Sequence, residues 1–147
     1  MVKADAKTES AVMGTFNRLL EAYETRDGRT LSSLFVPDSD VVLYGTGADE
    51  KRIGPTEIKV QFERDWSQSE AASLKFNWHS VSSTGGVALV AADGAAHVKV
   101  GGQEVTMPLR ATMVFEQRGD RWLVAQMHVS VPAGGQAEGE SWIAPPR

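Results

Sequence analysis

The sequence predicts an α+β fold shaped as a cone, with a curved, mostly antiparallel sheet wrapped around three N-terminal helices. Two observations carry this reading. Apolar residues recur at three- and four-residue spacing in three stretches of the N-terminal half, and after Gln68-Ser69-Glu70 the chain turns to extended segments separated by Gly-containing pairs. Helices first and strands afterwards is the α+β order, and such a sheet must curl around the helices to bury all three stripes. A pocket is then expected between the concave face and the helices.

Each element has a local reason. Thr8 or Ser10 is placed to cap a first helix carrying Val12, Phe16, Leu19, Leu20 and Tyr23 inward and ending near Asp27-Gly28. A short second helix, Arg29 to Phe35, buries Leu31, Leu34 and Phe35 and stops before Pro37, which has no N–H to donate. Val41 to Tyr44 is a short strand, and Gly45-Thr46-Gly47 opens a loop holding Asp49, Glu50, Lys51 and Arg52. Gly54-Pro55 starts a third helix with Ile58, Phe62 and Trp66 as its inner stripe. Turns are expected at Gly85-Gly86, Asp93-Gly94, Gly101-Gly102 and Gly119-Asp120, the spacing of an antiparallel meander. Residues 1–132 form one domain, and the Gly/Pro-rich tail 133–147 is loosely ordered unless Trp142 and Ile143 clip onto a surface.

The strand pair within Arg110 to Pro132 is the most informative stretch. Side chains alternate across a strand, so Leu123, Ala125, Met127, Val129 and Val131 share one face while Gln126, His128 and Ser130 share the other. On the partner strand Ala111, Met113 and Phe115 oppose Arg110 and Thr112, so Arg110, Thr112, Gln126, His128 and Ser130 gather on one face. That face either looks at solvent, as in any half-exposed sheet, or lines a cavity. Exposed strands usually carry Lys, Glu and Thr, so Gln, His and Ser beside an Arg favour the cavity.

Composition narrows the function. The 147 residues carry a net charge of -4 with scattered Lys and Arg, which argues against nucleic acid or an anionic membrane as partner. No Cys is present, which rules out disulfides and thiolate chemistry and fits a reducing compartment, so the cytoplasm is the expected location. The polar N-terminus has no apolar signal core, and no stretch reaches the roughly 18 apolar residues of a membrane span. The three His, at 79, 97 and 128, show no paired metal-ligand spacing, and no Gly-rich turn precedes a helix as a phosphate loop does, so neither metal nor nucleotide cofactor is expected.

Three segments, YETRDGRTLSSLF, VVLYGTGADEKRIGPTEI and RGDRWLVAQMHVSVP, make the chain resemble the nuclear transport factor 2-like superfamily, in its SnoaL-like and ketosteroid isomerase-like branch. The last segment is also similar to the calcium/calmodulin-dependent kinase association domain, with Trp122-Leu123 leading to Gln126, His128 and Ser130. The resemblance implies a cone-shaped fold and a homodimer formed through the sheet. It does not transfer chemistry. The isomerase's basic Asp falls at Gly45 here, and its oxyanion-donating Tyr falls near Leu19, with Tyr23 one turn further on.

Individual residues then receive roles. His128 is the candidate proton-transfer residue, against the alternative of a hydrogen-bonded structural His. Arg110 is a candidate for gripping a carboxylate or phosphate, against a structural ion pair with Glu50, Asp40 or Glu116. Tyr44, Trp66 and Trp78 are candidates for a flat apolar wall, against plain core packing. Leu74, Phe76 and Trp78 are expected on one face, with Asn77 and His79 opposite. The leading expectation is a protein binding a small, partly apolar, anionic molecule, with cofactor-free isomerase, cyclase or hydratase chemistry as its enzymatic form. The rival is an association module whose output is oligomerisation.

Overall fold

In the computed structural model, which describes residues 1–146, helix α1 (Ala6–Thr25) follows a two-residue edge strand, β1 (Val2–Lys3). Its cap is Asp5, whose carboxylate accepts the Thr8 N–H at 2.8 Å and is held below the usual carboxylate range by that bond. At the other end Arg26 takes the left-handed conformation (φ 59°) that glycine more often supplies. The strain is offset by its guanidinium, which donates to the Trp66 and Ser69 carbonyls at 2.7 and 3.0 Å and ties α1 to the end of α3 (Pro55–Ser67). Asp27 caps α2 (Gly28–Ser33), and Gly54 (φ 88°) with Pro55 begins α3.

Strands β2 (Val42–Tyr44), β3 (Lys51–Ile53), β4 (Ala71–Thr84), β5 (Val87–Val100), β6 (Gln103–Arg118) and β7 (Arg121–Ser130) join β1 in one sheet of order β1-β4-β5-β6-β7-β2-β3. Every pairing is antiparallel except β2 with β7. The expected cone is therefore present, with two additions. Lys51–Ile53 is a strand, although Lys51 and Arg52 are expected in a loop, and the N-terminus supplies an edge. One expected turn is absent: Asp93-Gly94 lies in mid-strand in β5.

Two bulges set which residues face where. In β4, Phe76 pairs with Gly94 and Trp78 with Asp93, leaving Asn77 as the extra residue. In β7, Phe115 pairs with Val124 but Val114 with Gln126, so Ala125 is extra. Val124 and Met127 therefore share the inner face although three residues apart. Gly94 makes the first bulge possible, since a Cβ there would lie 2.6 Å from Phe76 Cα and closer still to the Lys75 carbonyl oxygen.

The helices cover the face carrying Val90, Leu109, Ala111, Met113, Phe115, Val124 and Met127, all buried, against Val12, Phe16, Leu19 and Phe62. Each fully buried large apolar side chain contributes about 1.5–3 kcal/mol, which explains why this face is turned inward. Beyond Ser130 the described residues form no helix or strand, and Trp142 stands 83% exposed. Among the described residues no helix is long and apolar enough to cross a membrane.

Candidate functional site

A hollow of about 270 Å³ opens between the helices and the concave face of the sheet. Its walls are apolar: Leu19 from α1, Phe62 from α3, Leu43 from β2, Leu74 from β4, Val98 from β5, Met107 and Leu109 from β6, Met127 and Val129 from β7. A sheet face built from alternate residues supplies these side chains, and the curl of the sheet keeps them from closing on one another.

One end is polar and is held by a connected network. Tyr23 Oη donates to Asp65 Oδ2 at 2.9 Å. Gln61, 2% exposed, spends its whole amide: Nε2 donates to Glu50 Oε1 at 2.6 Å and to Asp65 Oδ1 at 2.7 Å, while Oε1 accepts from Arg52 Nε at 2.9 Å. Both carboxylates thus meet one nitrogen. Glu50 is ion-paired with Arg64 at 3.2 Å, and Arg64 also grips Asp49 at 2.8 Å. Gly45, Thr46 and Glu50 line the hollow beside this network, with Glu50 accepting from the Gly47 N–H as well.

Burial raises the Asp65 carboxyl above the usual carboxylate value, and the Glu50 charge adds to this. Hydrogen bonds from Tyr23 and Gln61 and the Arg64 charge oppose the rise without cancelling it. Burial also raises the Tyr23 phenol well above its ordinary 10.0, reinforced by Asp65 and Glu50. Tyr23 therefore stays a donor, and Asp65 is a carboxyl whose proton affinity has moved toward neutral pH. Among the described residues no cluster of His, Asp or Glu has the arrangement of a metal site.

The residues expected to line the hollow lie elsewhere. Arg110, Thr112, Gln126 and His128 are exposed on the outer face of the sheet, and Ser130 is half-buried beside them. The alternation read from the sequence holds for residues 126 to 130, but the assignment of faces is reversed, because the helices' apolar stripes require the apolar side. Tyr44, 39% exposed, packs on His128 from outside with ring centroids 5.3 Å apart. The Asn77 bulge flips Trp78 to the outer face, 53% exposed, and swings His79 toward Glu9 of α1, with Nε2 3.6 Å from its carboxylate. Trp66 backs the site instead of lining it: its Nε1 donates to the Tyr23 carbonyl at 3.1 Å and its ring stacks on Phe62.

Gln61 and Asp65 were missed, although a signal existed. Ile58, Gln61, Phe62 and Asp65 follow the spacing of the inner stripe of α3, so two polar residues interrupt an apolar face. Their reach to Glu50, across a loop, has no such signature.

The family model of the SnoaL-like domain matches residues 12–134. No curated protein matches the chain in sequence. Similar solved structures include a nuclear transport factor 2-like superfamily protein from Salmonella enterica (TM-score 0.82, 17% identity, 95% of this chain and 100% of that one). Another is an NTF2-like family protein from Streptomyces avermitilis described as a candidate dehydratase (TM-score 0.80, 23% identity, 88% and 100%). A third, from Xanthomonas campestris, is described as a candidate calcium/calmodulin-dependent protein kinase II association domain (TM-score 0.74, 23% identity, 91% and 96%). At these identities the likeness concerns the fold.

Proposed function

The chain belongs to the SnoaL-like domain family, and from that premise we propose that it binds a small, mostly apolar molecule in the hollow, with the Tyr23–Asp65 end as its polar anchor. The observation that carries this reading is a carboxyl with a raised proton affinity facing an apolar hollow, hydrogen-bonded to a tyrosine that stays protonated. Acid–base work of the isomerase, cyclase or hydratase type would run through Asp65, not through His128, which faces away from the hollow. The ligand need not be anionic, because the groups presented to the hollow include two carboxylates and no Lys or Arg. With no Cys in the chain, the cytoplasm remains the proposed location.

Thermal shift against a metabolite panel tests the binding reading. A stabilising compound is expected, and its shift should vanish in Val98→Trp, which adds bulk to the wall of the hollow, while His128→Ala and Arg110→Ala keep it. A shift that survives Val98→Trp but is lost in His128→Ala would place the ligand on the outer face and end this reading.

The outer face favours a second, compatible property. Trp78, Val87 and Leu89 are exposed there, and small side chains cross the sheet in register from Ser80 to Ala91 to Thr112. We propose that two copies pair through this face. Sedimentation should find a dimer, and Thr112→Arg should yield a folded monomer.

A further inference from the structure

Charge bookkeeping at the polar end of the hollow singles out Asp65. Among the described residues it takes part in no ion pair, whereas Glu50 is paired with Arg64. Its two hydrogen-bond donors, Tyr23 and Gln61, are both neutral. The guanidinium groups nearby are committed elsewhere: Arg52 Nε to Gln61, Arg64 to Asp49 and Glu50, Arg26 to the Trp66 and Ser69 carbonyls. The Gln61 amide and the Tyr23 hydroxyl hydrogen are spent on the carboxylates. Other neutral donors, on Thr46 and Gln68, sit at the exposed rim. The polar end therefore offers acceptor lone pairs, and the one cation acting on Asp65, Arg64, is shared with Asp49 and Glu50 and stands beyond ion-pair distance from it.

We propose that the ligand carries a protonated amine on an apolar body, with the ammonium seated on Asp65 and the body against the wall of Leu74, Val98, Met107 and Leu109. This rests on the reading of the hollow as a binding site. An ammonium brings up to three donors and one positive charge, matching the lone pairs that Asp65 has left after its two bonds. A hydroxyl would satisfy one lone pair and leave the charge unbalanced. A carboxylate or phosphate would add negative charge beside Asp65 and Glu50 with no donor to meet it.

The test is a matched series of probes, phenethylamine, phenethyl alcohol and phenylacetate, titrated by calorimetry and ligand-observed NMR against the full chain at neutral pH. The amine is expected to bind at least about tenfold more tightly than the alcohol, with phenylacetate weakest. Asp65→Asn should bring amine and alcohol to similar affinity, while His128→Ala, on the outer face of the sheet, should preserve the preference. Circular dichroism and the alcohol's retained binding report that Asp65→Asn is folded. Equal binding of amine and alcohol, or tightest binding of phenylacetate, overturns the amine proposal and leaves the hollow as a binding site. Absence of all three signals, with Val98→Trp identical to wild type, overturns the binding reading and this inference with it.

Discussion

Gly94 sits where β4 and β5 approach too closely for any side chain, and Gly94→Ala gives the sharpest test of how the hollow is built. An added Cβ would lie 2.6 Å from Phe76 Cα and 2.8 Å from the Lys75 carbonyl carbon, against an ordinary contact of 3.4 Å or more. Well over 0.8 Å of separation must be found, since the Lys75 carbonyl oxygen is nearer still, and all three obstacles are backbone, which cannot rotate aside as a side chain does. Overpacking of adaptable side chains costs about 1–3 kcal/mol. Here the ladder must open as well, and the loss of two hydrogen bonds from it adds about 2 kcal/mol. A destabilisation of about 3–5 kcal/mol follows, a large share of the 5–15 kcal/mol typical of a domain. Urea unfolding followed by circular dichroism measures it. Because the same bulge bends the stretch that delivers Leu74 to the hollow, ligand-induced stabilisation should fall too. A change below about 1 kcal/mol, with ligand response intact, would refute the claim that this close approach shapes the cone.

Gly14 is the opposite case: it lies in α1 with nothing near its would-be Cβ, so Gly14→Ala should stabilise by about 0.5–1 kcal/mol in the same assay. Tyr23 should remain protonated until alkaline unfolding. Its folded pKa is raised, so its contribution is fully present below the unfolded value of 10.0 and is lost as pH climbs above it. Absorbance at tyrosinate wavelengths should rise with the unfolding transition, and Tyr23→Phe should remove that amplitude. Asp49 behaves in the opposite sense, since Arg64 lowers its carboxyl: its stabilisation is present above the ordinary 3.8 and fades as pH falls through the lowered value. Asp49→Asn should therefore flatten the acid limb of the stability curve without touching the alkaline one. Arg118→Ala, which breaks exposed contacts to Asp38 and Glu116, should shift stability by less than about 1 kcal/mol.

Much of the architecture was legible because it rests on periodicity. The stripes Val12, Phe16, Leu19 and Ile58, Phe62 name their helices, and the alternation through residues 126 to 130 names a strand. What stayed hidden has physical causes. A bulge leaves no mark in a strand pattern, so the displacement of Trp78 by Asn77 could not be read. Asp93-Gly94 has the chemistry of a turn, yet its glycine answers a close approach between strands. The direction in which Arg110 and His128 point is decided by burial and not by residue character. Three apolar stripes need an apolar partner face, and Ala111, Met113 and Phe115 supply it. The site itself was half visible, as polar interruptions at Gln61 and Asp65 in an otherwise greasy helix face.

Met127 and His128 are neighbours in the chain, yet a single layer of backbone separates their surroundings: one touches the hollow, the other the exterior. Each long strand is in this sense a two-track tape. Substituting every position from Leu109 to Phe115 in turn would give a sawtooth of phenotypes, with odd positions altering interior volume and even ones only the outside. Variation on one track leaves the other untouched, so what the cone encloses and what its back touches are free to diverge separately.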